Sequence, residues 1–156
     1  MSVTANNSQS KTGRFRAFRR RHTHFAVPEE AVSAVVDWSA PAPLPHAPDA
    51  IRGVISVHGR MLTVVDMSLL PQNISSEEID VPLLVIVLRG DEQLALAADE
   101  VEGTIESLAF DYTDQTERTG LSMRTCNYDG GELAVIDVKQ IFHDAMQGRE
   151  RRHRRF

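Results

Sequence analysis

Apolar positions in this chain come in short alternating runs separated by turn-forming residues, a pattern that specifies strands rather than long helices. Phe15 and Ala17, an Arg-rich stretch, then Thr23, Phe25 and Val27 predict a hairpin with a basic turn near residues 19–22 and a strand ending at Pro28. Pro28-Glu29-Glu30, followed by Ala31, Val32, Val35 and Val36, predicts a short helix. Proline suits a first helical turn, and acids suit the positive end of the dipole. Pro41, Pro43, Pro45 and Pro48 then impose an extended connection, because proline removes donors and disfavours helix before it. Strands are expected at 53–57 and 61–65, around a His58-Gly59-Arg60 turn. After a polar link at 72–80, residues 83–88 read as a buried strand, 89–92 as a turn, 93–97 as a second strand and 99–104 as a short helix or turn. One further strand is expected at 108–112, and a last hairpin at 125–128 and 132–136 surrounds Asp129-Gly130-Gly131, a strong turn signal. Residues 137–146 are expected as a short helix.

Two stretches recur. Phe25-Ala26-Val27-Pro28-Glu29-Glu30-Ala31-Val32 resembles Leu94-Ala95-Leu96-Ala97-Ala98-Asp99-Glu100-Val101, displaced by 69 positions. Gly59-Arg60-Met61-Leu62-Thr63-Val64-Val65-Asp66 resembles Gly130-Gly131-Glu132-Leu133-Ala134-Val135-Ile136-Asp137, displaced by 71. Any two hairpins with period-two alternation share some likeness. Two matches in one order with nearly equal offsets point further, to two small β-barrels built on one plan. Neither half holds enough core to be comfortable alone, so the two should pack together.

With 42% hydrophobic and 25% charged residues, the 156-residue chain has a globular composition. No apolar run approaches the roughly 18 to 20 residues that span a bilayer, and the start of the chain lacks the apolar stretch of a signal peptide. A single cysteine, Cys126, excludes an intramolecular disulfide framework and a Cys-rich zinc site; lying in an expected strand, it is expected to be buried and inert. A cytoplasmic location is the expectation. The net charge of −5 conceals an asymmetry: 11 of the 17 Lys and Arg lie before His22 or after Gly148, and 21 of the 22 acids lie between. The body should repel nucleic acid and anionic membrane, whereas the basic ends could attract them.

The order of these pieces resembles the CheW family of chemotaxis coupling proteins. The family's hallmark, Gly-Val-Ile-Asn-Leu-Arg-Gly followed by Val-Pro-Val-Val-Asp-Leu, is matched by Gly53-Val54-Ile55-Ser56-Val57-His58-Gly59 and Leu62-Thr63-Val64-Val65-Asp66-Met67. Phe25-Ala26-Val27-Pro28, the Pro-rich approach Leu44-Pro45-His46-Ala47-Pro48 and Ala98-Asp99-Glu100-Val101 are also similar to family segments, so the resemblance covers residues 15 to 146. Ser56, His58 and Thr63 replace the usual Asn, Arg and Pro, and Ala34 stands where a glutamate is common. Apolar, glycine and turn positions are kept, and polar ones are changed. The resemblance implies a mainly β fold of two pseudo-repeated SH3-like five-stranded β-barrels with short helices. A flexible leader at 1–13 precedes a domain at 14–146, whose two intertwined barrels span roughly 22–75 and 81–142, and a basic tail at 147–156 follows.

It also implies a non-catalytic adaptor that couples the cytoplasmic tip of methyl-accepting chemoreceptors to the regulatory domain of a CheA-type histidine kinase, in chemotaxis, a type IV pilus pathway or another motility pathway. Ile55, His58, Arg60, Asp99 and Val101 are then expected at the receptor contact, and Val32, Ala34 and Val36 at the kinase contact. An imidazole at His58 would weaken a carboxylate contact and make it pH-sensitive; alternatively His58 is a plain turn residue and Arg60 supplies the charge. No catalytic, cofactor or metal residues are expected. Asp66 and Asp137, each between a strand and an apolar helical turn, read as N-caps rather than as an acid/base pair, because one active site would not need copying. His22 and His24 make only a weak metal motif with no supporting third ligand. The rival readings are a basic-tailed binder of anionic membrane or nucleic acid, and a CheW-like paralogue with a different protein partner.

Overall fold

The computed structural model describes residues 13–69, 81–90, 93–106, 124–128 and 131–141. Residues 1–12 of the expected leader at 1–13, the polar link at 72–80, the strand at 108–112 and the basic tail lie outside these residues, as does the side chain of Cys126. Among the described residues ten strands follow in order: β1 (Arg14–Arg20), β2 (Thr23–Pro28), β3 (Val32–Asp37), β4 (Ile51–Val57), β5 (Arg60–Val65), β6 (Leu84–Leu88), β7 (Leu94–Ala98), β8 (Glu100–Glu106), β9 (Arg124–Tyr128) and β10 (Gly131–Val135). They form two five-stranded sheets, one ordered β8-β1-β2-β10-β9 and the other β3-β6-β7-β5-β4.

These orders carry the repeat. Replacing each strand of the first sheet by its counterpart five places away in the chain generates the second. Register follows too: Ala134 sits opposite Phe25 and Val135 opposite Ala26 in one parallel ladder, as Thr63 sits opposite Leu94 and Val64 opposite Ala95 in the other. A bulge falls between Val32 and Ala34 against β6, and its counterpart between Val101 and Gly103 against β1. Each sheet takes strands from both repeats, so the two halves exchange their hairpins. The first sheet holds β1 and β2 with β8, β9 and β10; the second holds β3, β4 and β5 with β6 and β7.

Three apolar clusters result. Phe15, Ala17, Ala26, Ile105 and Leu133 fill the first barrel, and Ile55, Leu62, Val64, Val85, Val87, Ala95 and Ala97 fill the second. The largest lies between them, with Phe18, Phe25 and Val27 from one sheet against Ile86, Leu88, Leu94 and Leu96 from the other. Phe18 and Phe25 stack there with ring centroids 5.3 Å apart. Strands β2 and β7 therefore bury both faces, and each fully buried Phe, Leu or Val stabilises by about 1.5–3 kcal/mol.

The helix expected after Pro28 is a single 3-10 turn, Glu29–Ala31. The chain then enters β3, because β-branched Val32, Val35 and Val36 find a ladder against β6 that a short isolated helix cannot match. Of residues 99–104, expected as helix or turn, 100–104 likewise belong to β8. The β4–β5 hairpin turns on His58 (φ 49°) and Gly59 (φ 80°). Positive φ at both central residues makes this a type I′ turn, which suits the strand twist. Gly53 (φ 134°) passes so close to the Ala42 carbonyl that a Cβ would collide with backbone there; Ala42 pairs with the neighbouring Val54.

Candidate functional site

Two arrangements draw together the charged and exposed side chains. The first is a buried ion cluster where the barrels meet. In β1, the alternation that buries Phe18 carries Arg20 inward as well, and Arg20 and Asp66 are both 0% exposed. Arg20 Nε donates to both Asp66 carboxylate oxygens at 3.1 Å, and Nη2 donates to Oδ2 at 2.8 Å. Nη1 donates to Asp99 Oδ1 at 3.1 Å and Oδ2 at 3.2 Å. Asp66 Oδ1 also accepts from the Ser68 amide at 3.1 Å and the Ser68 hydroxyl at 2.6 Å, and Asp99 Oδ2 accepts from the Arg21 amide at 2.7 Å. Burial opposes the guanidinium charge most strongly, but hydrogen bonding to Asp66 and the charges of Asp66 and Asp99 together raise its pKa above the ordinary value. The cluster ties the β1–β2 turn, the end of β5 and the β7–β8 junction into one unit. Its donors and acceptors are engaged with one another.

Asp66 thus caps the turn after β5, as the sequence implies, and also binds Arg20, which the sequence reading missed. The signal was there: Phe18 and Arg20 are two apart on a strand, hence on one face. Asp137 caps as well, accepting from the Lys139 amide at 3.0 Å. The other arginines of the basic N-terminal stretch are also engaged within the chain: Arg14 with Glu106 at 3.3 Å, Arg16 with Glu29 at 2.6 Å and Arg19 with Glu100 at 3.5 Å. His24 Nδ1 lies 2.6 Å from Glu102. Among the described residues, no group of three or more His, Cys, Asp or Glu is arranged to hold a metal, and no helix is long and apolar enough to cross a membrane.

The second arrangement is the outer surface of the β3–β7 barrel. His58 and Arg60 are exposed at the β4–β5 tip, where Arg60 Nη2 is 3.4 Å from the Gly90 carbonyl. Ile55, expected beside them at the receptor contact, is 5% exposed and points into the barrel. Asp99 is committed to Arg20, and Val101 packs half-buried on the inter-barrel core. Since β5 and β7 run parallel, the tip before β5 and Asp99 after β7 lie at opposite ends of the barrel, about 20 Å apart at 3.3 Å per residue. The expected receptor residues therefore form two separate groups.

Of the expected kinase residues, Val32 packs half-buried on the inter-barrel core, and Ala34 and Val36 pack on the interior of the second barrel. The exposed side chains of β3 are Ser33, Val35 and Asp37. On the hairpin, the cross-strand pairs Val54–Thr63 and Ser56–Met61 face outward, so two of the residues that depart from the family pattern, Ser56 and Thr63, share one face with Met61, which is 59% exposed. Val35 and Met61 escaped the sequence reading, although alternation with Ala34, Val36, Leu62 and Val64 places both outside.

A family model described as the CheW-like domain matches residues 15–146. A chemotaxis protein CheW of Rhizobium meliloti (strain 1021) is 40% identical over 52 residues, 33% of this chain and 34% of that protein; the chain spans about a third of the length of the relative it matches. The crystal structure of the scaffolding protein TtCheW from Thermoanaerobacter tengcongensis has a similar fold, with a TM-score of 0.66 at 17% identity over 81% of this chain and 89% of that one.

Proposed function

The chain belongs to the CheW-like family, and on that premise we propose that it is a non-catalytic adaptor coupling chemoreceptors to a CheA-type histidine kinase in a chemotaxis-type pathway. The observation that carries this reading is the family match across both exchanged barrels, the part of the chain that holds the whole described fold. The arrangement of buried charge supports it. Arg20, Asp66 and Asp99 satisfy one another in a structural junction, whereas the exposed apolar side chains Val35 and Met61 stand on strand surfaces suited to protein contact. His58 and Arg60 at the hairpin tip, with Ser56 and Met61 beside them, form the receptor face. Strand β3 forms the kinase face.

The test is isothermal titration of the full chain with the regulatory domain of a CheA-type kinase and, separately, with a receptor signalling tip from the same cell. Saturable binding to both is expected. Failure to bind any such kinase domain would overturn the reading. The rival is a basic-tailed binder of anionic membrane or nucleic acid; the N-terminal Arg14, Arg16, Arg19 and Arg20 face acids of this chain and do not add to it. It predicts salt-sensitive binding that disappears when residues 149–156 are deleted.

A further inference from the structure

Strands β3 and β8 are terminal in their sheets, and each has one edge with no ladder partner among the described residues. Exposed edges invite pairing with another chain, and proteins commonly blunt them with charge. Strand β8 is blunted: Glu100, Glu102 and Glu106 line it, and Arg19, His24 and Arg14 answer them. Strand β3 has no such row of paired acids; one charged side chain, Arg89, reaches it at the Val32 carbonyl at 3.3 Å, near its start. Its exposed side chains are Ser33, Val35 and Asp37, with Val35 37% exposed. Glu30 and Asp37, at the two ends of this edge, make no ion pair among the described residues.

The ladder phase decides which amides are free. The Trp38 amide donates to the Leu83 carbonyl at 3.0 Å, so alternate residues Val36 and Ala34 turn their peptide groups to β6. Those of Val35 and Asp37 turn away. We infer that the free edge of β3 takes an extended segment of the partner kinase as an added strand, with apolar side chains beside Val35 and basic residues near Glu30 and Asp37. This rests on the adaptor reading and refines its kinase face: the free peptide groups of Val35 and Asp37 make the contact, while Val32, Ala34 and Val36 support it from inside. Strand addition takes its affinity from main-chain hydrogen bonds and its selectivity from alternate side chains.

Val35→Pro deletes one outward amide and leaves the β6 ladder intact, a placement proline tolerates on an edge strand. Asp37→Lys reverses one terminal charge and keeps every amide. Titrated against the regulatory domain of a CheA-type kinase, each full-length variant should bind on the order of tenfold more weakly than the parent chain, with binding to the receptor tip unchanged. Should Val35→Pro fail to fold, Asp37→Lys and Val35→Lys decide. Parental affinity in the folded variants would overturn strand addition while leaving the adaptor reading in place. A parent chain that binds no kinase domain would instead remove the adaptor reading itself.

Discussion

Strands β3 and β8 hold the same place in the two barrels, each beside the first strand of the opposite repeat and each with a bulge after its first valine. Their neighbours differ. Strand β1, beside β8, reads Arg-Phe-Arg-Ala-Phe-Arg-Arg, and β6, beside β3, reads Leu-Val-Ile-Val-Leu. The first barrel therefore has bases to hold three glutamates on its edge strand and to send Arg20 into the junction, whereas the second has only apolar side chains there. At the counterpart of Arg20 stands Gly90, and the counterpart of Asp66 is Asp137, exposed and without a guanidinium partner among the described residues. The two repeats share strand order, register and bulges. They differ in charge, one barrel closing its edge and the other leaving it open.

The comparison can be broken at several points. The largest effect belongs to the two aspartates. Asp66→Ala leaves Arg20 buried beside a lost partner and should cost about 3–5 kcal/mol, against about 1 kcal/mol for removing the cap at Asp137→Ala. Urea unfolding of both variants measures the difference, and equal losses would erase the asymmetry. Next comes Gly53→Ala. At φ 134°, with the Ala42 backbone in the way, it should cost more than about 1 kcal/mol, although the same ladder position in the first barrel is held by Arg124.

A smaller effect is electrostatic and confined to the first barrel. Hydrogen bonds from Arg16 and then Thr104 hold the Glu29 carboxyl below its ordinary value of 4.5. Its contribution to stability is complete above that value and is lost as pH falls through the lower, folded value. Glu29→Gln should flatten the acid limb of the stability profile below about pH 4.5, and an unaltered limb would show that this pair carries no pH dependence. The smallest change in stability is expected from giving β3 the threonine that β8 carries at the position of Val35. Val35→Thr should stay within about 0.5 kcal/mol of the parent while weakening kinase binding, because it removes the apolar side chain beside the added strand. Unchanged binding would detach the open edge from function.

Much of the architecture was legible in the sequence because period-two alternation and turn chemistry act locally. The hairpins at residues 14–28 and 51–65 and the repeated segments around Phe25 and Leu94 are where the residues place them. What failed was also physical. Val32, Val35 and Val36 satisfy helical spacing as well as strand alternation, and only the presence of β6 selects the strand. Arg20 sits in a run of arginines that suggests a solvated turn, and its acidic partners are 46 and 79 positions away in the chain, a distance over which a single sequence offers no pairing signal. At the expected contact residues, strand alternation decides which side chains face outward. Ile55 and Val36 keep the family's apolar pattern because they fill the barrel, and Ala34, where a glutamate is common, packs on it too, while the surface around them is made by Val35, Asp37, Ser56 and Met61.

Hydrogen exchange of the full chain, free and bound to the regulatory domain of a CheA-type kinase, compares the two edges in one experiment. The outward amides of Val35 and Asp37 should exchange readily in the free chain and become protected in the complex, with the amides of β8 unchanged. Protection of β8 with β3 left unaltered, or no change at either edge in a saturated complex, would contradict the assignment of the open edge to partner docking.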